Sequence, residues 1–240
     1  MPNNYFSFKQ FTIHQDQCAM KVCTDACVLG AWAAGKFEKN IHTKNVLDIG
    51  TGTGLLSLML AQKINAAIDA IEIDRAAAKQ AKENVLLSPW QDKIDIINVS
   101  LQQFDTTKKY DLIISNPPFF EDDLKSPDDD KNAAKHDSTL KLDELVVFIK
   151  NKLNENASAV VLIPFQRTNY FAELLKEHHL YINETLFVKQ SPKHDYFRSV
   201  ILFSNENIQP IESNELIIHD DKRNYTYTFK ILLAPYYLKL

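Results

Sequence analysis

Two short motifs carry the residue types with the clearest chemical use. The first is the turn at residues 50–54, Gly-Thr-Gly-Thr-Gly, which follows an apolar run at residues 45–49. Glycines there let the backbone turn sharply and approach a ligand that side chains would block. The second is Asn-Pro-Pro-Phe at residues 116–119, which follows another apolar run at residues 110–115. Together they predict a nucleotide-type cofactor pocket beside a rigid corner that binds a flat, amine-bearing ring.

The corner suits a conjugated amine, which is a poor nucleophile because its lone pair is delocalised. The Asn116 side-chain oxygen and the Pro117 carbonyl can accept hydrogen bonds from an NH₂ group and direct its lone pair toward an electrophile. The two prolines fix the backbone angles, and Phe119 is expected to stack on the ring. An ordinary proline turn is the alternative interpretation, but the glycine turn upstream favours function.

An acidic residue supports the cofactor pocket. Glu72 lies near the end of another apolar run, at residues 67–73, where its carboxylate can accept both hydroxyls of a ribose. Dinucleotide binding uses a similar arrangement. However, the glycines are spaced Gly-x-Gly-x-Gly rather than Gly-x-Gly-x-x-Gly, and no residue pair typical of hydride transfer stands out. The spacing therefore favours a cofactor other than a dinucleotide.

Alternating strands and helices must position these motifs. The alternation predicts an α/β, Rossmann-like fold with a seven-stranded, mostly parallel sheet, an antiparallel edge pair and helices on both faces. Ligands of such sheets bind at the carboxyl ends of the strands. We predict strands at 45–49, 67–73, 94–99, 110–115 and 158–163, helices at 55–61, 74–87, 143–153 and 168–177, and the antiparallel pair at 181–188 and 197–203.

We expect a single domain over residues 1–240. Its core spans residues 45–204, residues 1–44 form an N-terminal extension over the cofactor site, and residues 205–240 form a C-terminal addition. The segment at 121–137 follows the corner and begins with many acidic residues, which predicts a mobile loop or lid.

Composition limits the partners and the compartment. A net charge of −4 and a pI near 6.0 weigh against a protein that coats nucleic acid non-specifically. No stretch approaches the roughly 18 apolar residues of a membrane helix, and the first residues do not resemble a signal peptide. Three cysteines in one segment fit a reducing cytoplasm better than a disulfide framework. Because the spacing of His14, Cys18, Cys23 and Cys27 matches no metal-binding pattern, we predict packed thiols and no metal.

Further motifs extend over almost the whole chain. They are Phe-Lys-Gln-Phe at 8–11, Ala-Met-Lys-Val-Cys-Thr-Asp at 19–25, Gly-Ala-Trp at 30–32, Ser-Pro-Trp at 88–90 and Tyr-Tyr-Leu at 236–238. With residues 47–50 and 114–119, they make the chain resemble class I S-adenosylmethionine methyltransferases that act on amines. The resemblance is strongest to the bacterial tRNA(Val) adenine-N6-methyltransferases, and the N-terminal and Ser-Pro-Trp pieces are its family-specific part.

The resemblance implies methyl transfer from S-adenosylmethionine to the exocyclic N6 of adenine 37 in the anticodon loop of a valine tRNA. Residues 116–119 would hold the flipped adenine. The implied catalytic residues are Asn116, Pro117 and Phe119, and the implied cofactor-binding residues are Lys21, Thr24, Asp25, Asp48, Gly50, Gly52, Glu72, Ser100 and Asn116.

Two positions depart from the family pattern. Cys23 stands where glycine is usual, and Ser100 stands where a carboxylate usually contacts the adenine amine of the cofactor. A neutral hydroxyl is a weaker acceptor than a carboxylate. We therefore expect weaker cofactor binding, or substitution of that contact by Asn98 or Gln102.

We expect a monomer that binds tRNA through a basic surface. This surface would combine Lys9 and Lys21 with Lys193 and Arg198, while Phe119 would complete the substrate site. The acidic segment after the corner does not fit RNA binding easily.

Three alternatives stay open. The same corner serves protein glutamine N5-methyltransferases, although the 44 residues before the first core strand are too few for the separate N-terminal domain of those enzymes. It also serves enzymes that methylate base amines of ribosomal RNA or DNA. A cofactor-binding module without catalysis is the third alternative.

Overall fold

The structure is a computed structural model, and it describes residues 3–18, 20–118 and 140–240. The strands in these ranges are β1 (Tyr5–Ser7), β2 (Thr12–His14), β3 (Asn45–Ile49), β4 (Ala67–Glu72), β5 (Ile94–Asn98), β6 (Tyr110–Ser115), β7 (Leu153–Pro164), β8 (Tyr181–Lys189), β9 (Tyr196–Ser204) and β10 (Glu212–Ile217). The α-helices are α1 (Thr24–Phe37), α2 (Leu55–Ala61), α3 (Arg75–Leu86), α4 (Leu142–Lys152), α5 (Thr168–Glu177) and α6 (Tyr227–Leu233).

Strands β3 to β10 form one sheet in the order β10-β8-β9-β7-β6-β3-β4-β5. The neighbours from β7 to β5 are parallel, while β9 is antiparallel to both β7 and β8. The α/β, Rossmann-like prediction and its antiparallel pair are confirmed. The described sheet has eight strands rather than seven, because β10 pairs in parallel with the outer edge of β8.

The register of the central strands brings the two motifs together. Ile49, the last residue of β3, lies opposite Ser115 of β6 on one side and Ile71 of β4 on the other. The residues that follow in each strand, Gly50, Asn116 and Glu72, therefore lie side by side at the carboxyl edge of the sheet. This is the edge at which ligands of parallel sheets bind.

Helices cover both faces of the sheet, as predicted. Buried side chains of α1, α2 and α6 pack on one face, and those of α4 and α5 pack on the other. A side chain at Gly30 would meet the Met59 sulfur at 2.7 Å, so glycine lets α1 approach α2 closely. The Gly-Ala-Trp motif at 30–32 thus has a packing role.

The described parts of both chain ends pack together on this scaffold. Phe8 forms an isolated bridge with Tyr237, and the buried Tyr236 hydroxyl donates to the Met59 carbonyl at 3.0 Å. Phe11 contacts Trp90 edge to face, with ring centroids 6.0 Å apart. The Phe-Lys-Gln-Phe, Ser-Pro-Trp and Tyr-Tyr-Leu motifs therefore join the two ends to the core.

Some predicted boundaries differ from the observed ones. Helix α3 begins at Arg75 rather than Asp74, because the Asp74 side chain caps the helix by accepting from Ala77 N–H at 2.7 Å. Strand β7 starts directly after α4 and runs five residues earlier than the predicted 158–163. In the described ranges, no helix is long and apolar enough to cross a membrane.

Candidate active site

The glycine turn leaves open space above the end of β3. Gly50, Gly52 and Gly54 have φ angles of 71°, 57° and 82°, a region that other L-residues rarely adopt. Gly50 and Thr51 N–H donate to the Ile71 carbonyl at 2.9 and 3.0 Å, which fixes the turn against β4. A Cβ built on Gly50 or Gly52 would meet no atom within 4 Å. The turn can therefore accept a ligand against its backbone.

Glu72 faces this turn from the end of β4. Its Oε2 accepts from Gly52 N–H at 2.8 Å and its Oε1 accepts from Asp74 N–H at 2.9 Å. The carboxylate is almost fully buried. Each carboxylate oxygen can accept more than one hydrogen bond, so Glu72 can hold two neighbouring ligand hydroxyls while it stays bound to the backbone.

Asp48 lies beneath the turn and is completely buried. Its Oδ2 accepts from the Thr51 hydroxyl at 2.6 Å and the Ser57 hydroxyl at 2.7 Å, whereas its Oδ1 has no hydrogen-bond partner among the described residues. Burial raises the pKa of Asp48 to about 6, although the two hydroxyls partly oppose that shift. A buried carboxylate oxygen without a partner fits a cationic or N–H group of a cofactor.

The corner after β6 is fixed to the glycine turn through Ser115. The buried Ser115 hydroxyl donates to the Ile49 carbonyl at 2.9 Å, directly before Gly50. Asn116 is half-buried, Pro117 is buried and Pro118 is exposed. Phe119 and the predicted loop at 121–137 lie outside the described residues. The three described residues of the corner, 116–118, therefore directly follow the end of β6 beside the glycine turn.

The N-terminal segment and β9 meet beside this corner. Arg198 Nε donates to Asp25 Oδ2 at 2.8 Å, and Asp25 Oδ1 accepts from Ala26 N–H at 3.1 Å. Arg198 lies opposite Pro164, at the carboxyl end of β7. Thr24 is half-buried and Lys21 is exposed. The structure thus pairs a residue expected to bind the cofactor with one expected to bind the substrate.

Two other basic residues of the expected RNA surface, Lys9 and Lys193, also have partners. The Lys9 ammonium donates to the Ala234 carbonyl at 2.6 Å, at the end of α6. Lys193 forms an exposed ion pair with Asp221 at 3.4 Å. Any RNA that binds here must compete with the carboxylate partner of Lys193.

Ser100 lies at the start of a 3₁₀ turn after β5, where its hydroxyl oxygen accepts from Gln103 N–H at 3.3 Å. The Asn98 amide donates to the Glu72 carbonyl at 2.8 Å, and the Gln102 amide donates to Glu144 at 2.5 Å. A contact with an adenine amine needs an acceptor oxygen, and these hydrogen bonds use only the amide nitrogens of Asn98 and Gln102. The three positions therefore stay alternatives for that contact.

Two buried amides on α3, at positions that no sequence motif marks, support the site. The Asn84 amide nitrogen donates to the Thr53 carbonyl of the glycine turn and to the His14 carbonyl of β2, each at 2.9 Å, and its oxygen accepts from His14 N–H at 2.9 Å. One turn earlier, Gln80 accepts from Gln17 N–H at 2.7 Å. Their four-residue spacing on an alanine-rich helix was the available signal.

The three cysteines are free thiols in the N-terminal part of the chain. Burial raises the pKa of Cys18 to about 11 and those of Cys23 and Cys27 to about 12. These thiols are therefore protonated at neutral pH and pack as small apolar groups. Across the described residues, no group of three His, Cys, Asp or Glu side chains could hold a metal.

Comparisons with known proteins give the relatives of the chain. The sequence model of the methyltransferase small domain matches residues 33–136. A tRNA1(Val) (adenine(37)-N6)-methyltransferase of Dyadobacter fermentans is 44% identical, and the alignment covers 100% of both chains. A protein of the same name from Flavobacterium johnsoniae is 40% identical over 98% of this chain and 100% of its own.

Solved structures agree with this fold. The ribosomal protein L11 methylase of Lactobacillus delbrueckii subsp. bulgaricus superposes with a TM-score of 0.56 at 18% identity, over 81% of this chain and 84% of its own. A TehB-like SAM-dependent methyltransferase of Corynebacterium glutamicum gives a TM-score of 0.51 at 15% identity, over 78% of this chain and 90% of its own. At these identities the similarity concerns the fold alone.

Proposed function

The chain belongs to the family of tRNA1(Val) (adenine(37)-N6)-methyltransferases, and from that membership we propose that it methylates the exocyclic N6 of adenine 37 in valine tRNA, using S-adenosylmethionine. The observation that carries this proposal is the register of β3, β4 and β6. It brings the open glycine turn, the Glu72 carboxylate and Asn116 to one edge of the sheet.

The residues around the turn fit the polar parts of S-adenosylmethionine. When bound, this cofactor supplies a methyl group on a positively charged sulfur. Glu72 would accept the ribose hydroxyls, and the unpartnered Asp48 Oδ1 would face the cofactor's ammonium group. Gly50 and Gly52 leave room for the cofactor against the backbone. Lys21, Thr24, Asp25 and Ser100 are further proposed contacts, which follow from the family resemblance.

Asn116 and Pro117 would prepare the amine for reaction. Their side-chain and backbone oxygens can accept both N6 hydrogens and turn the nitrogen lone pair toward the methyl group. Because the Ser115 hydroxyl binds the Ile49 carbonyl, this corner has a fixed distance from the glycine turn. Stacking of the adenine on Phe119 stays a prediction, since that residue is not described. The excess proton of the methylated amine would leave to solvent.

We further propose that a monomer binds the anticodon loop in the cytoplasm. Arg198, close to the corner, and Lys193, in the turn between β8 and β9, are the proposed phosphate contacts. Methylation of a glutamine amide or of ribosomal RNA or DNA is less favoured, because the relatives that match over the full chain carry the tRNA name.

Methyl transfer in vitro tests this function. The purified protein, labelled S-adenosylmethionine and a valine tRNA transcript should yield N6-methyladenosine, whereas a matched transcript with guanine at position 37 should stay unlabelled. Equal labelling of both transcripts would reject position 37. Labelling of a release factor but not of the tRNA would favour the glutamine alternative.

A further inference from the structure

Three aromatic rings beside the corner have no role in the site described above. Phe165, Phe187 and Tyr196 form a triangle with ring centroids 5.1, 5.3 and 5.7 Å apart. All three side chains are half-buried, and none belongs to either hydrophobic core cluster of the described residues. We call this triangle the aromatic platform. Part of the surface of each ring is not buried in either core, and a ligand can contact it.

The platform lies at the edge of the sheet that carries Asn116. Phe165 directly follows Pro164, the last residue of β7, and Phe187 comes from β8 and Tyr196 from β9. β7 is the direct neighbour of β6, and β9 follows β7. With adjacent strands about 5 Å apart, the platform is roughly 10–15 Å from the corner across the sheet. The three rings therefore lie at the same edge of the sheet as the corner, on the side of β6 that carries β7, β9 and β8.

Cations lie against the aromatic rings in this part of the surface. The Lys189 ammonium is 4.3 Å from the Tyr196 ring centroid and also pairs with Glu215 at 3.0 Å. The Arg167 guanidinium is 5.6 Å from the ring of Tyr170, which is 50% exposed. Aromatic rings combined with Lys and Arg are typical of surfaces that bind single-stranded nucleic acid, since every unpaired base offers a flat face. A paired helix does not offer such faces.

We propose that the aromatic platform stacks an unpaired nucleotide that neighbours the target adenine. This inference rests on the proposed function, because it takes an RNA loop as the substrate. It adds a contact for the loop itself, separate from the phosphate contacts of Lys193 and Arg198. The platform would hold the neighbouring base out of the loop stack while the target adenine enters the corner.

The test measures binding of the whole protein to an anticodon stem-loop of valine tRNA with 2-aminopurine next to position 37. The variants Phe165→Leu and Tyr196→Leu keep apolar volume but lose a ring, and should weaken binding roughly tenfold and reduce the fluorescence change on binding. Tyr196→Phe keeps the ring and loses the hydroxyl that donates to Glu215, so it should bind like wild type. Tyr227→Leu removes an exposed ring on α6 and is the matched control.

A fully paired RNA duplex and S-adenosylmethionine should bind all these variants as they bind wild type. Unchanged stem-loop binding in both leucine variants would overturn the platform, as would an equal loss for stem-loop and duplex. In either case methylation of valine tRNA by wild type would leave the proposed function intact. A wild-type protein that methylates no tRNA would instead overturn the proposed function, and the platform with it.

Discussion

The carboxylates of Asp48 and Glu72 differ in their hydrogen bonds. One oxygen of Asp48 accepts two hydrogen bonds, and the other has no partner among the described residues. In Glu72, each oxygen binds one backbone N–H. Burial disfavours the charged form of Asp48, because the hydrogen bonds from Thr51 and Ser57 do not fully replace the water that the carboxylate loses. A cationic group near Oδ1 would favour that charged form. Cofactor binding and ionisation of Asp48 should therefore be coupled.

This coupling predicts a pH dependence of cofactor affinity. The pKa of Asp48 is about 6, so at pH 5 only about one tenth of the free protein carries the charged carboxylate. The α-amino group of the cofactor stays cationic over this range, since its ordinary pKa is roughly 8. Affinity should therefore rise about tenfold from pH 5 to pH 7 and then level off. Calorimetric titration of the protein with S-adenosylmethionine at several pH values measures this affinity.

The Asp48→Asn variant is the control for that titration. It removes the charge at constant size, so its affinity should be lower at pH 7 and nearly independent of pH. The same slope in wild type and variant would assign the pH dependence to another group.

Among the helices and strands, α3 has an unexpected role, because it holds two other segments of the site in place. Its buried amides at Gln80 and Asn84 hold the segment around β2, and Asn84 also holds the glycine turn through the Thr53 carbonyl. The helix thus connects the N-terminal extension to the cofactor turn. A change on α3 should reach the cofactor site although it touches no ligand.

The variant Asn84→Ala tests this connection. It leaves the buried Thr53 carbonyl and the partly buried N–H and carbonyl of His14 without the Asn84 amide, so it should lower the free energy of unfolding by about 2–3 kcal/mol. It should also weaken cofactor binding, because the turn loses its anchor. Asn169→Ala removes an exposed amide on α5 and should change stability by less than about 0.5 kcal/mol. Denaturant unfolding and cofactor titration measure both effects. Loss of stability with unchanged cofactor affinity would contradict the proposed connection.

At the scale of the whole molecule, the sequence predicts the parts that local patterns encode. The apolar runs of β3 and β6 give both strands with their observed bounds, and the glycine turn gives the loop between β3 and α2. The predicted methyltransferase family is confirmed by the full-length relatives and the family match. The individual site residues stay predictions.

Long-range contacts explain what the sequence does not predict. The strand-like stretch at 215–218 overlaps the end of β10, but the rest of this strand is exposed, so nothing local predicts its parallel pairing with β8. The ion pair of Asp25 with Arg198 joins residues that are 173 positions apart, and only the folded sheet brings them together. The buried amides of α3 likewise satisfy backbone groups of distant segments. Such contacts depend on tertiary structure rather than on spacing along the chain.

The central claim is that Asn116, beside the cofactor turn, prepares adenine 37 of valine tRNA for methylation. The most direct measurement is nucleoside mass spectrometry of purified valine tRNA from cells that lack this protein, after complementation with wild type or Asn116→Ala. Wild type should restore N6-methyladenosine at position 37. The variant should restore little or none, although the purified variant still binds S-adenosylmethionine. Wild-type levels of the modified nucleoside with Asn116→Ala would contradict the claim.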